Sequence, residues 1–288
     1  MNYLVSPNPG KQEALDFAAR LAGALEAAGQ RVLLLPEAAS GMGKAGQARA
    51  WRGEAPDRII VLGGDGTILR QFHRMTDYRA ALWGVNFGHL GYLTDCEPEE
   101  ALSLLPRILS DDFHVEHRTL IEGDLVRGDR TLARFRGLNE ACIYRGALNR
   151  AVSIELVLGG VPLRNFVADG LLLCTATGST AYNHSAGGPQ LTPEAEGLVI
   201  TPICARWAEN TPIVTAAGDR IEAIVHLPRD LQPGAAPQLV VDGYKSFPLC
   251  EGDRVLVRPC FDKLRMIRTH TGSFCERLSR KLCALSLD

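Results

Sequence analysis

Arg58-Ile59-Ile60-Val61-Leu62 runs directly into Gly63-Gly64-Asp65-Gly66-Thr67. The apolar run predicts a buried strand, and Thr67 to Met75 predicts a helix, so the glycines form a tight loop between the two. In an open α/β sheet, ligands bind beyond the carboxyl ends of the strands. Glycine lets the main chain come close to a phosphate, and the free N–H groups of a helix start attract anions. Gly63, Gly64, Gly66 and Thr67 are therefore candidate phosphate contacts. A carboxylate is out of place in a loop that only binds phosphate. Asp65 is accordingly the candidate for holding a metal ion, accepting a proton from an attacking hydroxyl, or both. The competing reading is a plain turn, in which Asp is common.

Outward from this loop, strands and helices alternate. Tyr3 to Val5 predicts a strand, closed by Ser-Pro-Asn-Pro, and residues 11–28 predict a helix with Leu15, Ala18, Ala19, Ala22 and Leu25 on one face. Arg31 to Leu35 predicts a second strand and Ala81 to Val85 a fourth. Pro98 to Leu109 predicts an amphipathic helix with Pro in its first turn. Residues 37–56 show no firm period and are expected to be a mobile connection. This alternation predicts a parallel sheet covered by helices over residues 1–112.

From residue 113 to 268 the pattern changes to short β-rich runs broken by Gly, Pro, Asn and Asp. Examples are Ala151 to Leu158, Leu171 to Thr175, Ile221 to Leu227, Leu239 to Val241 and Arg254 to Val257. They predict an antiparallel, mostly β domain. A closing amphipathic helix is expected within 269–288, with Phe274, Leu278, Leu282 and Leu285 in register.

The 288 residues hold 31 Lys plus Arg against 33 Asp plus Glu, so no basic excess points to nucleic acid or a membrane surface. No apolar run approaches the roughly 20 residues of a membrane helix. The N-terminus lacks the basic and apolar regions of a signal peptide, so a cytoplasmic location is expected. The eight cysteines form no C-x-x-C pair and are expected to be reduced, packed as small hydrophobes.

A second cluster runs from Asp169-Gly170 through Thr175-Ala176-Thr177-Gly178-Ser179-Thr180-Ala181-Tyr182 to Ser185-Ala186-Gly187-Gly188-Pro189. So many small hydroxyl residues suit a polar, closely approached pocket wall better than a core. A solvated loop is the bland alternative. Gly41-Met42-Gly43-Lys44-Ala45-Gly46 matches G-x-G-x-x-G literally. It follows no strand closely, opens no firmly apolar helix, and so is dismissed as a dinucleotide fingerprint. Asn139-Glu140 and Asp242-Gly243 read as ordinary turns on their own.

Together these pieces resemble the NAD kinase family. The resemblance rests on residues 63–67, on Gly84-Val85-Asn86-Phe87-Gly88-His89-Leu90-Gly91-Tyr92-Leu93-Thr94, on Leu138-Asn139-Glu140 and on 169–189. Ile200 to Cys204, Val241-Asp242-Gly243 and the C-terminal Ser273 to Leu282 continue it, so it covers about residues 58–283 in the family's order. It implies an α/β domain followed by a β-sandwich, with the last helix returning to the first domain. The implied activity is transfer of a phosphoryl group from ATP or another donor, with Mg²⁺, to the adenosine-ribose 2′-hydroxyl of NAD. Asp65 would orient or deprotonate that hydroxyl. Tyr92 and Gly66 would lie near the nucleotide, Asn139 and Glu140 would hydrogen-bond NAD, and Thr177, Thr180, Ala181, Tyr182 and Ser185 would line the adenosine pocket. Asp169 would meet the nicotinamide end, in a homodimer or homotetramer, from a neighbouring subunit. No protein-only metal site is implied.

The family's Thr-Pro-Thr-Gly is Thr175-Ala176-Thr177-Gly178 here, which removes a rigid Pro. Val167-Ala168 stands where Arg-Gly is frequent, and Ala205-Arg206 where Pro-His is usual. These departures motivate one alternative, a catalytically weakened NAD(H)-binding sensor or a kinase for an NAD-like nucleotide. Lipid and sphingosine kinases share the Gly-Gly-Asp-Gly-Thr loop but lack the 175–189 signature.

Overall fold

The computed structural model describes residues 1–36, 49–88, 91–146, 151–206, 210–227, 236–270, 274–276 and 278–279. The chain forms two compact units, residues 1–117 with 264–288, and residues 118–263. The G-x-G-x-x-G stretch, Leu282 and Leu285 lie outside the described residues.

The first unit is an α/β layer structure. Its sheet runs in the order β5 (Ala81–Val85), β4 (Arg58–Leu62), β1 (Asn2–Pro7), β2 (Arg31–Leu34), β3 (Arg49–Ala50). Every pairing in it is parallel. Parallel strands are covered on both faces, which is why β4 and β5 are apolar almost throughout rather than alternating. The helix Gln12–Ala27 buries Leu15, Ala18, Ala22 and Leu25, and the helix Pro98–Leu109 buries Ala101, Leu105 and Ile108. The latter starts in a capping box between Glu97 and Glu100. The Arg49–Ala50 strand pairs with β2, so this part of 37–56 is ordered onto the sheet edge.

The second unit is a β-sandwich. One antiparallel sheet has the order β13 (Ile213–Val214), β12 (Val199–Ile203), β11 (Gly170–Cys174), β8 (Glu140–Tyr144), β15 (Gln238–Val241), β16 (Lys245–Pro248). The other contains β10 (Val161–Ala168), β9 (Val152–Leu158), β14 (Ile221–His226), residues 254–263 of β17 (Arg254–Arg268), and the hairpin of β6 (His114–Arg127) and β7 (Arg130–Gly137) from residue 118 on. Residues 264–268 of β17 belong to the first unit, where Met266 pairs in parallel with Leu82 of β5. Alternate residues face one shared core: Ala141 and Ile143, Leu171 and Leu173, Leu239 and Val241 meet Ile154, Leu156, Ala223, Val225 and Val255. The period of two in strand side chains produces this division.

Two elements depart furthest from their expected bounds. The strand expected at Arg254 to Val257 continues to Arg268. Pro259 and the polar Asp262-Lys263 interrupt its apolar pattern without interrupting its backbone. The helix expected from Thr67 to Met75 spans Asp65–Phe72, with Gly64 as its extended N-cap. Asp65 therefore sits in the first helical turn, where a negative charge suits the helix dipole.

Candidate active site

In the first unit, the loop after β4 separates two kinds of glycine. A β-carbon on Gly63 would stand 2.3 Å from Thr67 Oγ1, so the turn's own packing excludes a side chain there. On Gly64 or Gly66 it would meet nothing within 4 Å, and neither residue has a positive φ. The fold demands neither glycine. The open space above them is at the carboxyl end of a parallel strand and at a helix start.

The Asp65 carboxylate is held from the far side. Its Oδ2 accepts the Tyr92 N–H at 2.8 Å and its Oδ1 accepts the Leu93 N–H at 3.0 Å. Gly91 lies flush against it, since a β-carbon there would fall 2.1 Å from Oδ1. Asp65 is only half-buried. A carboxylate offers about four lone-pair sites, so two backbone donors orient the group and leave capacity for a further proton donor. Tyr92 is buried, with its ring 6.0 Å from that of Phe274. Burial, and then the Asp65 charge, raise its phenol pKa above the ordinary value.

In the second unit, Asp242 organises the residues around Asn139 and Glu140. It adopts a left-handed φ of 53°. Its Oδ2 accepts the Leu138 N–H at 2.8 Å, and its Oδ1 accepts those of Asn139 and Glu140 at 2.8 and 2.9 Å. The Glu140 side chain is buried, and its Oε2 has no hydrogen-bond partner among the described residues. Burial, helped by the nearby Asp242 charge, pushes its carboxyl pKa up to about 8. The turn at Gly178–Thr180 packs on the same backbone: a β-carbon on Gly178 would fall 2.2 Å from the Asn139 carbonyl oxygen. Thr175 donates its N–H to that oxygen at 2.9 Å and its hydroxyl to the Leu138 carbonyl at 2.6 Å. Arg118 Nη1 donates to Thr177 Oγ1 at 3.4 Å.

The hydroxyl-rich run thus divides. Thr175, Thr177 and Ser179 are buried and hydrogen-bonded within the unit, whereas Tyr182 and Ser185 are exposed and Thr180 and Ala181 half-buried. The Ala176 carbonyl accepts the Ser179 hydroxyl at 2.6 Å, and this bond helps close the turn. Asn183 ties the run together: its amide donates to the Ser179 and Pro189 carbonyls and accepts the Thr201 hydroxyl at 2.6 Å.

Asn139, Glu140 and Thr177 are brought together. Asp169 stands at the other end of β11, roughly 17 Å of strand away, paired with Arg145 at 2.9 Å. The short helix Tyr182–Ser185 leads into Ala186, which packs on Cys142, Leu172 and Ile203 on the sheet's outer face. It leaves Tyr182 close enough for the Asp169 charge to contribute to its raised pKa, after burial and nearer groups. Sequence reading gave no role to Asp242, Asn183, Arg118 or Arg145. The first three lie in stretches that the family resemblance singles out; nothing in the local sequence marked Arg145.

Among the described residues no three His, Cys, Asp or Glu side chains form a metal-holding group. The described cysteines are all free. No described helix is long and apolar enough to cross a membrane.

Comparison with known proteins matches residues 5–113 to the family model of the ATP-NAD kinase N-terminal domain and residues 138–269 to that of the C-terminal domain. An NAD kinase of Symbiobacterium thermophilum is 37% identical, covering 97% of this chain and 98% of that protein. One of Natranaerobius thermophilus is 31% identical over 96% of each. The crystal structure of yeast NADH kinase complexed with NADH superposes with a TM-score of 0.89 at 21% identity, covering 98% of this chain and 87% of that one. An NAD kinase from Archaeoglobus fulgidus in complex with ATP gives 0.74 at 22% identity, over 98% and 97%. With both halves of its sequence matched in order and relatives similar over their full length, the chain belongs to the NAD kinase family.

Proposed function

We propose that this chain transfers the γ-phosphoryl group of ATP to the adenosine-ribose 2′-hydroxyl of NAD, giving NADP and ADP. The observation that carries the reading is the Asp65 carboxylate, oriented by two backbone donors beside two glycines that the fold leaves open. The hydroxyl oxygen attacks the γ-phosphorus, the bond to the β–γ bridging oxygen breaks, and the hydroxyl proton passes to Asp65. Proton removal of this kind contributes about 10²–10⁴-fold. Gly64 and Gly66 receive phosphate oxygens through the backbone at the helix start. The Gly63 and Thr67 N–H groups, expected from sequence to do the same, are given to the Val85 and Gly64 carbonyls at 2.9 Å each, so these two residues shape the loop. Asn139, Glu140, Thr177, Thr180, Ala181, Tyr182 and Ser185 recognise the adenosine half, Tyr92 lies beside the nucleotide, and Asp169 meets the nicotinamide end.

Mg²⁺ fits this donor set. Mg²⁺ uses one or two carboxylates together with substrate phosphates rather than an all-protein cage, and Asp65 is the carboxylate within the glycine loop. When bound with the donor, the ion neutralises phosphate charge. A cytoplasmic homodimer or homotetramer completes the proposal.

The test is incubation with NAD, ATP and Mg²⁺, with product read by an NADP-specific dehydrogenase. ATP-dependent NADP formation is expected. NAD binding without NADP formation from ATP, another nucleotide or polyphosphate would overturn the reading in favour of a sensor.

A further inference from the structure

We propose that Arg268 is a positioning residue for Asp65, acting through the peptide groups of Tyr92 to Thr94. The inference rests on the reading of Asp65 as proton acceptor. Arg268 is buried at the end of β17. Its Nη1 donates to the Leu93 and Thr94 carbonyls at 2.9 and 3.0 Å, and its Nη2 reaches the Tyr92 carbonyl at 3.5 Å. The same three-residue segment gives its Tyr92 and Leu93 N–H groups to Asp65.

One peptide unit makes the coupling direct. The Tyr92 carbonyl and the Leu93 N–H belong to a single planar trans peptide, so they point in opposite directions and turn together. The guanidinium faces the oxygen end and the carboxylate faces the hydrogen end. A rotation that releases Arg268 therefore also moves the donor that fixes Asp65. Opposite charges at the two ends polarise the peptide and strengthen both bonds.

The guanidinium is itself held. Glu116 accepts Nε at 3.1 Å and Nη2 at 3.3 Å, a two-point contact that sets the plane of the fork. Glu116 also offsets the charge of Arg268, so the contribution to Asp65 is mainly geometric. Thr269 secures the end of the segment: the Asp95 carboxylate accepts its N–H at 3.1 Å and its hydroxyl at 2.6 Å, and also the Trp83 indole N–H at 2.9 Å. Arg268, the last residue of β17, and Thr269 just beyond it thus hold the segment on the side away from the carboxylate.

Arg268→Ala leaves the half-buried Glu116 without this partner and opens a cavity where the buried guanidinium lay, and it is expected to compromise folding. Arg268→Lys keeps a cation beside Glu116 but loses the planar fork, and it is the informative variant. We expect kcat to fall about 10- to 100-fold, the scale of a small misplacement of a reacting group. KM for NAD and for ATP should stay within about threefold, since the interaction removed acts at the reacting oxygen. In an Asp65→Asn background the same change should lower kcat by less than about threefold, because the group it positions is already gone. An unchanged kcat, or a full multiplicative loss in the double variant, overturns the inference.

Amide hydrogen exchange supplies a readout that needs no turnover. In Arg268→Lys, the Tyr92 and Leu93 amides should exchange at least about tenfold faster while the Leu4 amide in β1 does not change. Equal protection at Tyr92 and Leu93 overturns the inference. If the wild-type chain makes no NADP while Arg268→Lys still shows this selective loss of protection, the proposed function fails and the coupling stands, so the two failures are distinguishable.

Discussion

Asp242 and Asp65 both accept backbone N–H groups at candidate site segments, and they differ in what is left over. Asp242, in the β-sandwich unit, is 6% exposed, left-handed in φ, and takes three donors from consecutive residues. Asp65, in the α/β unit, is half-buried, helical, and takes two. The first carboxylate is consumed in holding the backbone that presents Asn139 and Glu140. The second is oriented by its donors and still open to an outside proton. Equal side chains therefore carry different chemistry, and their burial and backbone donors distinguish a scaffold from a reagent.

The largest expected effect breaks the reagent side. Asp65→Asn should lower kcat by about 10²–10⁴-fold, the usual contribution of a positioned base. The melting temperature should fall by only a few degrees, since one of the two backbone donors keeps an acceptor. Steady-state kinetics with NAD and ATP decide it; an unchanged kcat ends the base assignment. Asp242→Asn should act on the scaffold side. Weakening three charge-assisted bonds in a buried turn should cost about 3 kcal/mol of stability and raise KM for NAD, with kcat at saturation little altered. Denaturant melts and KM measurements check this, and a drop in kcat without a loss of stability would dissolve the distinction.

Glu140 sharpens the comparison through pH. Its carboxyl titrates near 8 in the folded protein, raised by burial and by Asp242. An unfolded glutamate titrates near 4.3. The folded state therefore binds more protons between these values, and stability falls as pH rises from about 4.3 to about 8, with the full cost present above 8. Glu140→Gln lacks this slope. Relative to wild type it should gain about 4 kcal/mol between pH 5 and pH 9, read by urea unfolding at both. A pH-independent difference would show that Glu140 is ionised throughout.

The parallel sheet of the α/β unit and the antiparallel, β-rich character of the second unit were legible in sequence because both rest on apolar periodicity. The sandwich came from the family resemblance, and the strand order was not legible. The strand Arg58–Leu62 and the helix Pro98–Leu109 appear at their expected bounds. The long strand ending at Arg268 was not legible, because Pro259 and Asp262-Lys263 hide a continuous backbone behind a broken pattern. The glycine loop and the hydroxyl-rich run could be located from composition, but their internal division could not. That Thr175 and Ser179 face inward while Tyr182 is exposed depends on Asn139 and Asn183, contacts set by folding rather than spacing. Asp242 lies 102 residues from Glu140 and Arg268 175 from Leu93, and local sequence is silent on partners at that range.

The smallest effect sets one glycine against another. Gly91 has no β-carbon space because the Asp65 carboxylate occupies it, whereas Gly64 has open space that nothing in the fold fills. Gly91→Ala places a methyl group 2.1 Å from Oδ1 in the present geometry, so the carboxylate must swing off its two backbone donors. Because Gly91 has no positive φ, an alanine there is not strained in its own backbone, and the change falls on Asp65. A loss of about tenfold in kcat is expected, roughly 1.4 kcal/mol of transition-state stabilisation, with KM for ATP nearly constant. Gly64→Ala should give the reverse pattern: no loss of stability, and a raised KM for ATP because the methyl group stands where a phosphate must approach. If the two alanine variants behave alike, the carboxylate's seat and the ligand's seat are not separate, and the contrast between a held aspartate and an open loop no longer describes how this site works.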